Sequence, residues 1–307
     1  MKKQLTIEDR FKKCRRKLWA VTSILVVFVI LAGVYTYLNY DYFVFKHFIS
    51  SFYVYTDTLD KLFQKELGRD VKGKYYSYFD DMVISVVTRS IRDINKDGYT
   101  YLYIPEQYQK QFADEKQVAS KSEAKPINDK IVYLRLTNFS PYTIKIVKDN
   151  VGILKKYPMI IIDLRDNYGG DIYAINEIAG MFLKRGNIIA TDINRVFKIV
   201  NSAKTNGALK YDSITILQNR NTASSSENMI AALKDNLTNV ELIGDVTFGK
   251  GIGQYTIPLK GGFAVKATTL FWYTPKGINI QGKGINPDVV YTADDILDFA
   301  VKRLMAK

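Results

Sequence analysis

The longest break in the alternation of charged and apolar positions comes near the start of the chain. Residues 18–38, LWAVTSILVVFVILAGVYTYL, carry no charge, and the next charged side chain is Asp41. About 20 apolar residues cross a bilayer core as one helix, so this stretch predicts a transmembrane anchor. Residues 41–56 are rich in aromatics and suit a segment beside the bilayer or a connecting helix. Phe79, Met82, Val83, Val86, Val87 and Ile91 then recur at helical spacing. Residues 113–129, ADEKQVASKSEAKPIND, are polar and contain a proline, the pattern of a linker.

After Lys130 the pattern changes to strands alternating with helices. IVYLRL (131–136) reads as a strand, and residues 141–155 suit an amphipathic helix. MIIIDLR (159–165) is a continuous apolar run, as expected of a strand buried on both faces. Ile172, Ile175, Ile178, Ala179, Phe182 and Leu183 form a helical stripe. SITIL (213–217) is another strand, and a helix follows within NRNTASSSENMIAALKD (219–235). ELIG (241–244) and FAVKATTLFWYT (263–274) complete the sheet. Alternation of this kind predicts an α/β domain with helices packed on a mostly parallel sheet.

Charge refines the first segment. The net charge is +13, but residues 1–17 hold eight Lys and Arg against Glu8 and Asp9, and no dense basic run occurs later. A nucleic-acid groove is therefore not indicated. A cleaved signal peptide has a shorter apolar region, about 7–15 residues, ending in small residues; AGVYTY fits that poorly. Trp19 and tyrosines 35, 37 and 40 suit the interfacial belts. The expectation is a retained single-pass anchor with a cytoplasmic basic head (1–17), so that residues 41–307 lie outside the cytoplasm. The only cysteine, Cys14, falls in the head, and the only histidine is His47. These counts exclude a catalytic cysteine outside the membrane and a Cys- or His-rich metal site.

Four stretches could carry chemistry. DLRDNYGGD (163–171) ends a strand with Gly169 and Gly170 before a helix, where unpaired N–H groups could form an oxyanion hole or simply make a tight turn. In the 219–235 segment, Thr222, Ser224, Ser225 and Ser226 precede a helix, and Ser224 with Glu227 matches an S-x-x-E capping box. A catalytic serine there needs a proton acceptor. With His47 tied near the membrane, a Ser-His-Asp triad is available only if the domain folds back to the bilayer; the remaining option is a lysine kept neutral by burial. GDVTFGKGIGQ (244–254) imitates a phosphate-binding loop, but Gly251 replaces the magnesium-binding hydroxyl and a strand follows; Lys250 instead offers a base. DINKDG (93–98) begins like a calcium loop, yet position twelve is Ile104, so a polar turn is the better reading.

Taken in order, IVYLRLTNFS, IIIDLRDNYGGD, NTASSSENMIAALKD, LIGDVTFGKGIGQ and FWYTPKGINIQGKGINPD resemble the carboxyl-terminal processing (tail-specific) serine peptidases. The resemblance covers roughly residues 130–290, and DGYTYL (97–102) is similar to the motif that precedes that family's peptide-binding insert. It implies a ClpP/crotonase-like α/β peptidase core (130–307), placed behind the small helical N-terminal subdomain (39–112) and the one transmembrane helix (18–38) that the residues themselves predict. It further implies Ser224 as nucleophile, Lys250 as its base, Gln254 supporting the lysine, and an oxyanion hole from Ser225 with Gly169 or Gly170. No cofactor or metal is implied. The expected partners are a protein or peptide substrate and the lipid bilayer, with no nucleic acid.

Three departures stand out. Thr222 and Ser225 occupy positions where the family pattern has Ser and Ala. The link between Asp235 and Gly244 is one residue longer than usual. The stretch from Pro105 to Lys130 is too short for the PDZ domain the family generally inserts, so residues 113–129 are expected as a linker in its place. A membrane-tethered peptide-binding or scaffold protein without turnover is the alternative, and an enzyme of another kind on a crotonase-like sheet is a third. Heavy use of Lys, Tyr, Ile and Asn is compatible with a bacterium of AT-rich genome.

Overall fold

The computed structural model describes residues 6–55 and 80–306; Phe79 lies outside them. Helix α1 (Ile7–Leu38) starts at Thr6, whose hydroxyl accepts the Asp9 N–H, and it buries none of its side chains in the protein. Among the described residues it is the one helix long and apolar enough to cross a membrane, as a single-pass anchor or a signal sequence would be.

The aromatic segment that follows is a core element. Helix α2 (Tyr40–Phe52) packs Phe45, Phe48 and Ile49 against Ile84, Val87 and Ile91 of helix α3 (Asp80–Asn95), and both pack on Leu259, Val265 and Ala267. Each such side chain contributes about 1.5–3 kcal/mol by burial. Val86, part of the expected stripe, faces solvent at 60% exposure.

Strand β1 (Tyr101–Tyr103) leads into helix α4 (Pro105–Ala119), whose first-turn proline suits a helix start. Strand β2 (Glu123–Pro126) then pairs antiparallel with strand β3 (Ile131–Arg135). Residues 113–129 are thus the end of a helix and an edge strand, not a linker. Their polarity reflects the open edge they form: Glu123 and Lys125 pair in solvent while Ala119 and Ser122 face inward.

Helices α5 (Pro141–Asp149) and α6 (Val151–Leu154) split the expected 141–155 helix, with Asn150 between them. Strand β4 (Met159–Asp163), helix α7 (Ile172–Gly180), strands β5 (Ile188–Ile193), β6 (Lys198–Ser202) and β7 (Ser213–Gln218), helix α8 (Ser225–Asn236) and strand β8 (Val240–Gly244) follow. Strands β9 (Ile252–Pro258), β10 (Ala264–Tyr273) and β11 (Val289–Val290) and helix α9 (Ile296–Met305) end the chain.

These strands build two sheets. One has the order β11-β8-β7-β4-β3-β2, with every pair parallel except β2 on β3. Along β3, Val132 and Leu134 join the core beneath α5, α7 and α8, while Ile131 and Tyr133 face Ile296, Ala300 and Leu304 of α9. Burial on both faces accounts for the unbroken apolar runs. The second sheet, β1-β10-β5-β6 with β9 also on β10, is antiparallel. FAVKATTLFWYT therefore belongs to a different sheet from ELIG, because β10 turns back on β9 through Gly261 and Gly262, both at positive φ.

Candidate active site

The carboxyl ends of the parallel strands β4 and β7 release two loops that meet, as open α/β sheets favour. In the β4 loop Gly169 has φ +100°, and a Cβ there would lie 2.8 Å from both Ala223 O and Ser224 Cβ. Only glycine lets the two turns come this close. At Gly170 a Cβ would strike the Phe139 carbonyl at 2.0 Å. Asn167 locks the loop: its Nδ2 donates to Leu136 O and its Oδ1 accepts the Gly169 N–H at 2.9 Å.

The four hydroxyls of the β7 loop separate by their partners. Thr222 Oγ1 donates to Leu164 O, Ser225 Oγ to Gly170 O and Ser226 Oγ to Asn167 O, each at 2.9 Å. Those three fasten the two loops together. Ser224 is the one that remains, and its backbone is strained, at φ 56° and ψ −117°. Strain of this kind in a non-glycine residue costs about 1–3 kcal/mol and clusters at functional sites. Glu227 makes its half of the expected capping box by accepting the Ser224 N–H at 2.8 Å.

Glu227 does more than cap. Fully buried, it also accepts the N–H groups of Gly249 at 2.6 Å and Lys250 at 2.8 Å and the Thr247 hydroxyl. It therefore clamps the lysine loop to the serine turn. Burial pushes its carboxyl above the usual range, and these donors hold it back. The other wall of the lysine loop is GINIQGKG: Gln281 Oε1 accepts the Gly251 N–H, and Asn279 Nδ2 donates to Gly251 O, both at 2.8 Å. Trp272 Nε1 donates to Lys250 O at 2.9 Å.

The Lys250 side chain turns inward. Its Nζ donates to Gln254 Oε1 at 3.0 Å and lies 4.6 Å from the centre of the Tyr99 ring. Burial, helped by repulsion from Lys266, lowers its pKa from 10.5 to about 8, against the opposing pull of Glu227 and Asp97. Asp97 comes from the stretch that began like a calcium loop. It is buried and accepts from Tyr53 OH, Thr100 Oγ1, Thr268 Oγ1 and the Tyr99 N–H, which sets Tyr99 in place. Among the described residues no group of three or more His, Cys, Asp or Glu could hold a metal. A strand, β9, follows Lys250 where a phosphate-binding loop needs a helix.

Ser224, Ser225, Gly169, Gly170, Lys250 and Gln254 all line one cleft of about 450 Å³. The two glycines are no longer equivalent. The Gly169 N–H is committed to Asn167, whereas among the described residues the N–H groups of Gly170 and Ser225 meet no acceptor. Exposed His47 sits on α2 and does not line the cleft. Sequence reasoning missed Asn167, Tyr99 and the clamping role of Glu227; the S-x-x-E spacing signalled the glutamate only as a cap.

Loops at the carboxyl ends of the parallel strands thus bring Ser224 and Lys250 to one cleft. The pattern of Peptidase family S41 matches residues 130–291, and the chain belongs to that family of serine-type C-terminal processing peptidases. A carboxy-terminal-processing protease of Bartonella bacilliformis is 35% identical over 167 residues, 52% of this chain and 38% of that protein. The chloroplastic C-terminal processing peptidase of Tetradesmus obliquus is 32% identical over 159 residues, 51% of this chain and 34% of that protein. The chain thus spans little more than a third of the length of these relatives. Among solved structures, a lipoprotein from Streptococcus agalactiae shares the fold over 88% of this chain and 96% of its own, with a TM-score of 0.67 at 17% identity. A peptidase-like structure from Parabacteroides merdae does so over 87% and 96%, with a TM-score of 0.53 at 18% identity.

Proposed function

We propose that the chain is a membrane-anchored serine endopeptidase that hydrolyses extracytoplasmic proteins or peptides with a Ser224/Lys250 dyad. The observation that carries this reading is the lysine: a buried amine with its pKa lowered to about 8, in the cleft that holds the strained Ser224. At pH 7 a pKa of 8 leaves about a tenth of the amines neutral, several hundredfold more than an ordinary lysine has.

Neutral Lys250 takes the proton of Ser224 Oγ as that oxygen attacks the substrate carbonyl. The N–H groups of Gly170 and Ser225 hold the oxyanion, and the N-terminus of α8 adds a favourable dipole. As the C–N bond breaks, the Lys250 ammonium returns its proton to the leaving amine. Water then attacks the acyl-enzyme by the same route and frees Ser224. Gln254 keeps the amine aimed, and residues 18–38 hold the enzyme at the bilayer.

The test is peptide hydrolysis by the full chain in detergent. Ser224→Ala and Lys250→Ala each abolish turnover. Full activity in Lys250→Arg would overturn the reading, since arginine stays protonated.

A further inference from the structure

Of the charged side chains that line the cleft, Asp192 is the most buried, and the dyad reading gives it no role. Asp192, on β5, is only 6% exposed and lines the cleft with Ile172, Leu270 and Trp272. Its surroundings are apolar: Ala190, Leu270, Trp272 and Ile280 form one cluster, with Ile172 packed against it. A carboxylate buried in such a place needs donors on both oxygens. Oδ2 has one, Asn201 Nδ2 at 2.6 Å, and Asn201 is itself held by Asn176 Nδ2 at 3.1 Å. Among the described residues none donates to Oδ1. No Lys, Arg or His of the described residues pairs with Asp192. Burial pushes its carboxyl above the usual range, and Asn201 only partly opposes this.

The cleft's cations stand elsewhere. Asp192 is paired in register with Trp272. Lys266 sits six residues back along the same strand, beyond the register shift between Thr268 and Leu270. The charged groups acting on the Lys250 amine are Lys266, Glu227 and Asp97, and that amine turns toward Gln254 and Tyr99. The cleft is therefore cationic beside Lys266, while carboxylates line it at Asp192 beside Trp272 and at Glu115 and Asp171.

Building on the peptidase reading above, we propose that Asp192 forms the base of a subsite for a lysine or arginine side chain of the substrate. The aliphatic stem lies on Leu270 and Trp272, and the cationic head donates to Oδ1. Long basic side chains combine these two properties, and the resulting charge-assisted hydrogen bond supplies the missing donor. A neutral side chain of the same length fills the walls and gives Oδ1 either no donor, as norleucine does, or an uncharged one, as citrulline does.

Binding tests this without any turnover. The full chain carrying Ser224→Ala, in detergent, is titrated by fluorescence anisotropy with a positional-scanning set of decapeptides. Members are compared in pairs differing only in Lys against norleucine, or Arg against citrulline. At one position the basic member binds about tenfold tighter or more. Adding Asp192→Asn brings that ratio to about one and leaves norleucine and citrulline affinity unchanged. Equal affinity within every pair, or an equal loss for both members in Asp192→Asn, overturns the proposal. Should Asp192→Asn fail to fold, the comparison of basic with neutral peptides still decides. If the preference holds but the Ser224-intact chain cleaves nothing, the peptidase reading falls and the subsite stands. If it cleaves and the pairs bind equally, the reverse is true.

Discussion

Replacing Lys250 by methionine keeps the bulk of the side chain and removes an ionisable group that the fold holds at a cost. The folded pKa is about 8 against 10.5, a gap worth about 3 kcal/mol. Because the folded value is the lower one, the unfolded chain binds the extra proton between pH 8 and 10.5. Wild-type stability therefore bears the full penalty below pH 8, recovers it across that window, and is free of it above pH 10.5. The variant never bears it. Methionine does forfeit the bond to Gln254, about 1 kcal/mol; the Tyr99 ring attracts only the charged amine and so belongs to the pH-dependent part. The expected result is a variant about 2 kcal/mol more stable than wild type at pH 7 and about 1 kcal/mol less stable at pH 10.5. Denaturant unfolding of both proteins in the same detergent at the two pH values measures the swing, to which contributions from α1 and from other titrating groups cancel. A difference between the two proteins that does not change with pH would refute the claim that burial lowers the Lys250 pKa.

Other substitutions test the frame around the dyad. Gly169→Ala drives a Cβ into Ala223 O and Ser224 at positive φ and should destabilise by about 2–4 kcal/mol with loss of hydrolysis, read by thermal melting and peptide turnover. Ser226→Ala loses one hydroxyl bond to Asn167 O, which still accepts the Ala223 N–H; it should cost about 1 kcal/mol and leave most of the activity. Glu227→Gln sets an amide donor among N–H groups and should lower kcat at least about a hundredfold with little change in KM. Its carboxylate raises the Lys250 pKa, so the rising limb of the pH–rate profile should also move to lower pH.

What the sequence disclosed follows from where the physics is local. MIIIDLR announced a strand because both its faces are buried, and the loops that hold Ser224 and Lys250 stood out because strand ends are where chemistry collects, although only the family resemblance singled out Ser224 among its hydroxyl neighbours. Edge elements were silent. β2 and β6 are short and mostly solvent-facing, so their sequences resemble linkers. Assignment of β9 and β10 to a second sheet is a matter of pairing over long range, which no periodicity records. Asn167 and Glu227 act on residues that lie up to 31 positions away, so only assembled coordinates reveal them. Asp97 misled in an instructive way: a carboxylate spaced like a calcium ligand is satisfied by hydroxyls of Tyr53, Thr100 and Thr268.

The central claim is that Ser224 is made nucleophilic by Lys250, and phosphonylation tests it without knowledge of any substrate. The full chain is treated with a fluorophosphonate across pH 6–10, and the adduct is followed and located by mass spectrometry. The account predicts one adduct, on Ser224, whose rate rises about tenfold per pH unit until it levels off near pH 8, and no adduct in Lys250→Arg. An adduct on another hydroxyl of the loop, or labelling of Ser224 that persists unchanged in Lys250→Arg, would contradict it.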